Sequence, residues 1–250
     1  MTAAAIAGLF LAGVAGGIVS VLVSLVSLVT YPALLAVGLP PVAANVTNTV
    51  SLTFTGLGAA IGSRRELEGQ RPMLLRLAVV AALGGLTGAA LLLVLPGRAF
   101  ELVAPVLIAG ASVVVMLQPR LKERAVFRPR GLEAGTVAAF YLTAVYTGYF
   151  GAAGGVLGLV ALGMIMIRPL THMIAAKNVL AGVSNGVAAI AFALFGPVAW
   201  GYVVPLAAGL FVGGLIGPGI ARRLPAALLR LLIGVCGLSV AAVLAWHTYL

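Results

Sequence analysis

Residues 132–167 decide the architecture of this chain: LEAGTVAAFYLTAVYTGYFGAAGGVLGLVALGMIMI. The stretch is apolar enough for a membrane. As one helix, however, it would be about 54 Å long, against a hydrocarbon core of about 30 Å. Glycines cluster in its second half, so we predict that it is a broken or hairpin-like pair of helical pieces. A second overlong, Gly-rich run, 3–38, is predicted to break in the same way.

The rest of the chain consists of apolar runs of span length. Hydrophobic residues make up 62% of the 250 positions and charged residues only 8%, which exceeds the apolar share of a soluble domain. We therefore predict an all-α, multi-pass protein of the cell inner (plasma) membrane, with the lipid bilayer as its surroundings. The predicted single spans are 42–62, 73–95, 99–118, 170–195, 198–220 and 226–248.

Basic residues are concentrated in alternate gaps between these runs. Thirteen arginines and lysines lie at four gaps: after 42–62, after 99–118, after 132–167 and before 226–248. Lys177 is set aside because it lies inside a run, and only Arg98 lies elsewhere. Basic residues mark the cytoplasmic loops of membrane proteins. The net charge of +10 therefore indicates orientation, and no nucleic-acid partner is expected.

The alternation of sides predicts an internal repeat. The basic gaps all lie on the cytoplasmic side of the membrane only if each overlong run returns to the side from which it started. Three membrane crossings then remain in each half of the chain. An odd number of crossings inverts the second half relative to the first and puts both termini outside. We predict a first repeat at 1–118, a cytoplasmic linker at 119–131 and a second repeat at 132–250. Inverted repeats with broken helices are typical of secondary transporters.

Polar residues inside the runs indicate where a substrate binds. In 42–62, Asn45, Asn48 and Thr49 share one face of a helix. In 170–195, Lys177 and Ser184 are seven residues apart, as are Asn178 and Asn185, so each pair shares a face. We predict that Asn45, Asn48, Lys177 and Asn178 lie in one cavity near the bilayer centre. Interhelical hydrogen bonding by the amides and hydroxyls, and snorkelling of Lys177 to the interface, are the alternatives.

The kind of polar residue favours an anion as the substrate. The five acids, all glutamates, lie in gaps or at the ends of runs, whereas cation sites need carboxylates or a dense cage of carbonyls. A lysine with amide and hydroxyl donors near half-helix N-termini suits a small anion. Glycines such as Gly151 and Gly154 would let backbone N–H groups approach it. No metal site, cofactor or catalytic motif is indicated, so the chain is not expected to be an enzyme.

Two segments resemble a known family. Residues 27–49, SLVTYPALLAVGLPPVAANVTNT, are similar to the first repeat of the TauE/SafE family of sulfite and sulfonate exporters. Residues 149–155, YFGAAGG, and 176–180, AKNVL, are similar to the second repeat. The resemblance implies export of anionic sulfur compounds. The family usually has glycines just before Ser27, where this chain has VSLV, so the hydroxyls of Ser24 and Ser27 are expected to replace backbone donors there.

These observations predict a secondary transporter that exports a small anion, sulfite or an organosulfonate. The predicted substrate-binding residues are Ser27, Asn45, Asn48, Thr49, Gly151, Gly154, Lys177, Asn178, Ser184 and Asn185. An anion channel using the same site and a non-transporting membrane scaffold are the alternatives. The sequence leaves the exact substrate, the coupling ion and homo-oligomer formation open.

Overall fold

The computed structural model describes residues 2–23, 26–62, 65–124, 131–151, 154–166, 168–221 and 226–249. These ranges contain ten α-helices and a short 3₁₀ turn at Arg65–Leu67, without any strand, which confirms the all-α prediction. The helices are α1 (Ala3–Val23), α2 (Ser27–Ala36), α3 (Pro41–Gly62), α4 (Arg71–Val94), α5 (Gly97–Arg124), α6 (Ala134–Tyr149), α7 (Gly154–Ile165), α8 (Leu170–Phe195), α9 (Trp200–Ala221) and α10 (Ala226–Tyr249).

Both overlong runs are broken, as predicted: the first forms α1 and α2 and the second forms α6 and α7. A left-handed glycine follows the last turn of α6, where Gly151 has φ +77° and its N–H donates to the carbonyl of Tyr146 at 3.1 Å. At the end of α2, Gly38 has φ +90°, and the N–H of Leu39 donates to the carbonyl of Leu34. At α2 this is the Schellman pattern, and at both ends glycine allows an abrupt stop because it tolerates the left-handed conformation.

Four stretches within the described ranges are long and apolar enough to cross a membrane: Ala3–Ser20, Arg71–Val94, Gly97–Val114 and His172–Phe195. The last three match predicted spans. Helix α1 is itself long enough to cross, so its length does not require the first helix pair to be re-entrant, whereas α2, α6 and α7 have only 10, 16 and 12 residues. Helix α3 has 22 residues.

Glycines bring pairs of helices into backbone contact. A β-carbon at Gly13 or Gly17 of α1 would lie 2.5 or 2.6 Å from backbone atoms of α9. Helices α4 and α6 approach as closely, because a β-carbon at Gly84 would meet that of Ala144 at 2.5 Å. Small residues spaced four apart allow such packing in membranes. Besides these pairs, α3 packs on α8 and α5 on α10, so the two polar helices touch as expected.

Two apolar clusters surround the breaks in the helices. One contains Tyr31, Phe100 and Phe150 and encloses the end of α6. The other contains Phe140 of α6 and Leu162 of α7 and lies beside the start of α8. The polar residues of α3 and α8 are therefore held between packed apolar layers, where their hydrogen-bonding groups depend on protein partners or a substrate.

Candidate functional site

Lys177 is buried two turns into α8. Only 5% of its surface is exposed, which excludes snorkelling of this side chain to the interface in this conformation. Its aliphatic stem lies along Gly158 of α7, where an added β-carbon would be 3.5 Å from the lysine Cγ. Because an ionisable residue inside a membrane domain is costly to bury, its position indicates a functional role.

A small cavity surrounds this lysine. Its volume is about 20 Å³, room for roughly one water molecule. Helices α4, α6, α7 and α8 form its walls, and the polar side chains in the lining are those of Thr143, Thr147, Lys177 and Ser184. The rest of the lining is apolar or glycine, so the charge and the hydroxyls converge in one small compartment.

The hydroxyls in the cavity are positioned by backbone carbonyls. Thr143 donates to Ala139 at 2.9 Å, and Thr147 donates to Thr143 at 2.8 Å, each within α6. The Ser184 hydroxyl of α8 donates to the carbonyl of Ala144 at 3.2 Å. These bonds fix the side chains in place, and a hydroxyl can rotate to donate to an anion instead.

The first turn of α7 also faces the cavity. Gly154 opens this helix and contributes to the lining, and a β-carbon there would lie 2.6 Å from the Thr147 hydroxyl oxygen. The first N–H groups of a helix lack partners within it and lie at its positive end. No acidic side chain is among the described residues that line the cavity.

The predicted residues of the first half form a second polar cluster. The amide of Asn48 accepts a hydrogen bond from Thr30 at 2.5 Å and donates to the Ser27 hydroxyl at 3.1 Å. These bonds hold α3 against α2. Thr49 donates to the carbonyl of Asn45 at 3.0 Å, within α3. Interhelical hydrogen bonding, the alternative considered for these polar residues, accounts for the geometry of Asn48 and Ser27.

Asn45 joins the two halves of the chain. Its side-chain N–H donates to the carbonyl of Tyr149, at the end of α6, at 2.8 Å. Thr147, two residues before Tyr149, lines the lysine cavity. The last turn of α6 therefore lies between the two polar clusters and contacts both.

The predicted site residues are only partly brought together. Lys177, Ser184 and Gly154 line one cavity, and Gly151 lies at the adjacent break. Asn45, Asn48 and Asn178 are not in that lining, so a cavity that they share with Lys177 stays a prediction. The Asn45 amide bonds the end of α6, and the Asn48 amide bonds α2. Asn178 and Asn185 are half-buried, and Ser24 lies outside the described residues.

Sequence reasoning missed two cavity residues, Thr143 and Thr147. Their spacing of four puts them on one face of α6, a signal that was present in the sequence. Their packing against α8 was not readable, because it depends on how α6 approaches that helix. Within the described ranges, no group of three or more His, Cys, Asp or Glu side chains could hold a metal ion.

Comparison with known proteins gives a consistent picture. The model of the family described as sulfite exporter TauE/SafE matches residues 9–244. The chain is 25% identical, over 94% of its length and 90% of the relative's, to the probable membrane transporter protein ORF9 of Sinorhizobium sp. It is 26% identical to the probable membrane transporter protein YfcA of Escherichia coli strain K12, over 89% of this chain and 82% of that protein. No solved structure shows a significant match.

Proposed function

Because the chain belongs to the sulfite exporter TauE/SafE family, a family of membrane transporters and not enzymes, we propose that it exports a small anion, sulfite or an organosulfonate. The observation that carries the proposal is the buried Lys177 ammonium in a cavity with three hydroxyls and the start of α7. A compact anion could accept hydrogen bonds from all of these groups.

We assign the central role in binding to Lys177, with Ser184 and Gly154 as further contacts and Thr143 and Thr147 as added ones. Gly151 sets the geometry of the break. We propose that the remaining predicted residues line the route to the cavity and contact the anion as it moves. These are Ser27, Asn45, Asn48, Thr49, Asn178 and Asn185. Ser27, Asn45, Asn48 and Thr49 are buried and Asn178 and Asn185 are half-buried, which suits a path that opens only in another conformation.

The packing of the helices supports the proposed inverted repeats, 1–118 and 132–250, joined by a cytoplasmic linker at 119–131. If α1 to α5 correspond to α6 to α10, then α1 corresponds to α6 and α4 corresponds to α9. The contact of α1 with α9 therefore has its counterpart in the contact of α6 with α4, and both contacts occur. The glycine contacts follow the same correspondence. Such a repeat provides alternating access around a fixed site. We further propose that both termini lie outside the cell.

Binding of sulfite to the purified protein tests the role of Lys177. At about 4 Å and an effective dielectric constant of about 20, an ammonium and an anion attract each other by roughly 4 kcal/mol, about a thousandfold in Kd. Lys177→Ala is expected to weaken binding by that order. Lys177→Arg should also bind poorly, since a planar guanidinium does not replace a compact ammonium.

Lys122→Ala is the matched control, because it removes the chain's other lysine, which belongs to α5. Unchanged sulfite affinity in Lys177→Ala would contradict the proposal.

Flux in proteoliposomes separates the proposed carrier from the two alternatives. A carrier saturates with substrate and shows counterflow, whereas an anion channel conducts current without counterflow, and a scaffold moves no anion. We expect saturable sulfite efflux that is accelerated by sulfite on the opposite side and abolished in Lys177→Ala. Flux in wild type that equals flux in empty vesicles would favour the scaffold.

A further inference from the structure

Two buried oxygen atoms near the end of α6 have no hydrogen-bond partner within the described part of the chain. They are the Tyr31 hydroxyl oxygen and the Asn45 side-chain carbonyl oxygen, in residues that are each 1% exposed. An unsatisfied buried polar atom costs on the order of a hydrogen bond's desolvation. Two such atoms in one region indicate that a bound species completes the structure.

Each of these residues contacts the end of α6. The other amide atom of Asn45, the side-chain N–H, donates to the carbonyl of Tyr149 at 2.8 Å. The ring of Tyr31 meets the ring of Phe150 edge to face, with 5.5 Å between centroids. Phe100 packs against both Tyr149 and Phe150. Tyr31 and Asn45 thus both pack against the end of α6, beside a group of aromatic rings.

The chemistry of this place suits a cation. The Asn45 oxygen can only accept, so it needs a donor or a positive ion. The end of α6 carries the negative end of the helix dipole and backbone carbonyls without donors in the helix. Sodium ions prefer such hard oxygen ligands, and unwound carbonyls at half-helix ends coordinate Na⁺ in secondary transporters. The negative charge of Glu101 acts on Tyr31 and adds to the preference for a cation.

We propose that the Asn45 side-chain oxygen, the Tyr31 hydroxyl and the carbonyl end of α6 form a binding site for Na⁺, which couples to the anion held at Lys177. The coupling rests on the proposed function. The last turn of α6 provides the physical link, because Thr147 lines the anion cavity and Tyr149 accepts from Asn45. Binding at either place orders the turn that the other needs. A doubly charged anion such as sulfite would be balanced by one lysine and one Na⁺.

Sulfite titrations in NaCl and in choline chloride at equal ionic strength test the coupling in purified, full-length protein. Coupling between two sites is commonly 5- to 150-fold, so we expect Na⁺ to lower the sulfite Kd at least about fivefold. Tyr31→Phe retains the ring packing and removes only the oxygen. It should abolish the Na⁺ effect while leaving the affinity in choline chloride unchanged.

Tyr141→Phe is the matched control, because that hydroxyl already bonds Thr87 at 2.9 Å, and it should keep the full Na⁺ effect.

A direct measurement separates the two proposals. The apparent melting temperature without sulfite should rise with NaCl over choline chloride in wild type, and not in Tyr31→Phe. If the protein binds sulfite equally well in both salts and NaCl does not raise its melting temperature, the cation site is overturned and the anion proposal stands. If NaCl stabilises wild type through Tyr31 and sulfite does not bind at all, the cation site stands and the proposed function fails.

Discussion

A methyl group at Gly154 tests the geometry of the candidate site directly. In Gly154→Ala the new β-carbon would lie 2.6 Å from the Thr147 hydroxyl oxygen, well inside the 3.4 Å at which ordinary contacts begin. Overpacking of this kind costs about 1–3 kcal/mol. For a chain of this size, each kcal/mol corresponds to roughly 2–4 °C. We therefore expect the apparent melting temperature to fall by about 2–12 °C.

The neighbouring threonine provides the rescue. In Thr147→Ala the hydroxyl and methyl groups are lost, and the closest remaining side-chain atom is the β-carbon, 3.4 Å from the one added at 154. The clash is then absent. We expect the double variant to be more stable than the sum of the two single changes predicts, by about 1–3 kcal/mol, as residues in contact show.

Thermal unfolding of the purified protein in a mild detergent measures all three variants. Gly110→Ala is the matched control, because Gly110 lies in α5 with nothing within 4 Å of an added β-carbon, so its melting temperature should stay or rise slightly. Strict additivity of the Gly154 and Thr147 changes, or wild-type stability of Gly154→Ala, would refute the described packing of α6 against α7.

Three further outcomes are expected. Gly213→Ala should destabilise the protein by about 3 kcal/mol or more in thermal unfolding, because its β-carbon would overlap a backbone carbonyl of α1. At Gly214 nothing lies within 4 Å of an added β-carbon, so alanine should be tolerated there. Equal effects of the two substitutions would contradict the close packing of α1 and α9. Cysteines appended at the two termini of a Cys236→Ala background should both react with a membrane-impermeant thiol reagent added outside whole cells, and labelling of only one would end the inverted-repeat proposal. Thr143→Val should raise the sulfite Kd roughly tenfold, the value of one hydrogen bond to a charged group, without lowering stability by more than about 1 kcal/mol, and an unchanged Kd would remove Thr143 from the anion site.

Much of the fold was readable from the sequence because the membrane limits the length of a helix. The overlong runs at 3–38 and 132–167 exceed the hydrocarbon thickness and contain glycines, and both are broken in the structure. The spacing of Lys177 and Ser184 places them on one face of α8, and both line one cavity. Helical periodicity along a single segment is sufficient for such predictions.

The choice of partners between segments was not readable. In a bilayer a leucine facing lipid and one facing another helix have similar environments, so the apolar pattern does not tell the two faces apart. Asn45 is not in the lining of the Lys177 cavity, and its amide bonds the carbonyl of Tyr149. A backbone carbonyl at a broken helix end leaves no trace in the sequence pattern.

The sequence by itself thus determined that this protein is a helical membrane protein with two interrupted segments and a lysine inside an apolar run. Length, hydropathy and glycine content are local properties, and they act within each segment. Only the tertiary structure decided which helix faces meet, through backbone contacts at glycines such as Gly13 and Gly84. The tertiary structure put Thr143 and Thr147 in one cavity with Lys177 and brought Tyr31 and Asn45 against the end of α6, because close approach of two backbones depends on both segments at once.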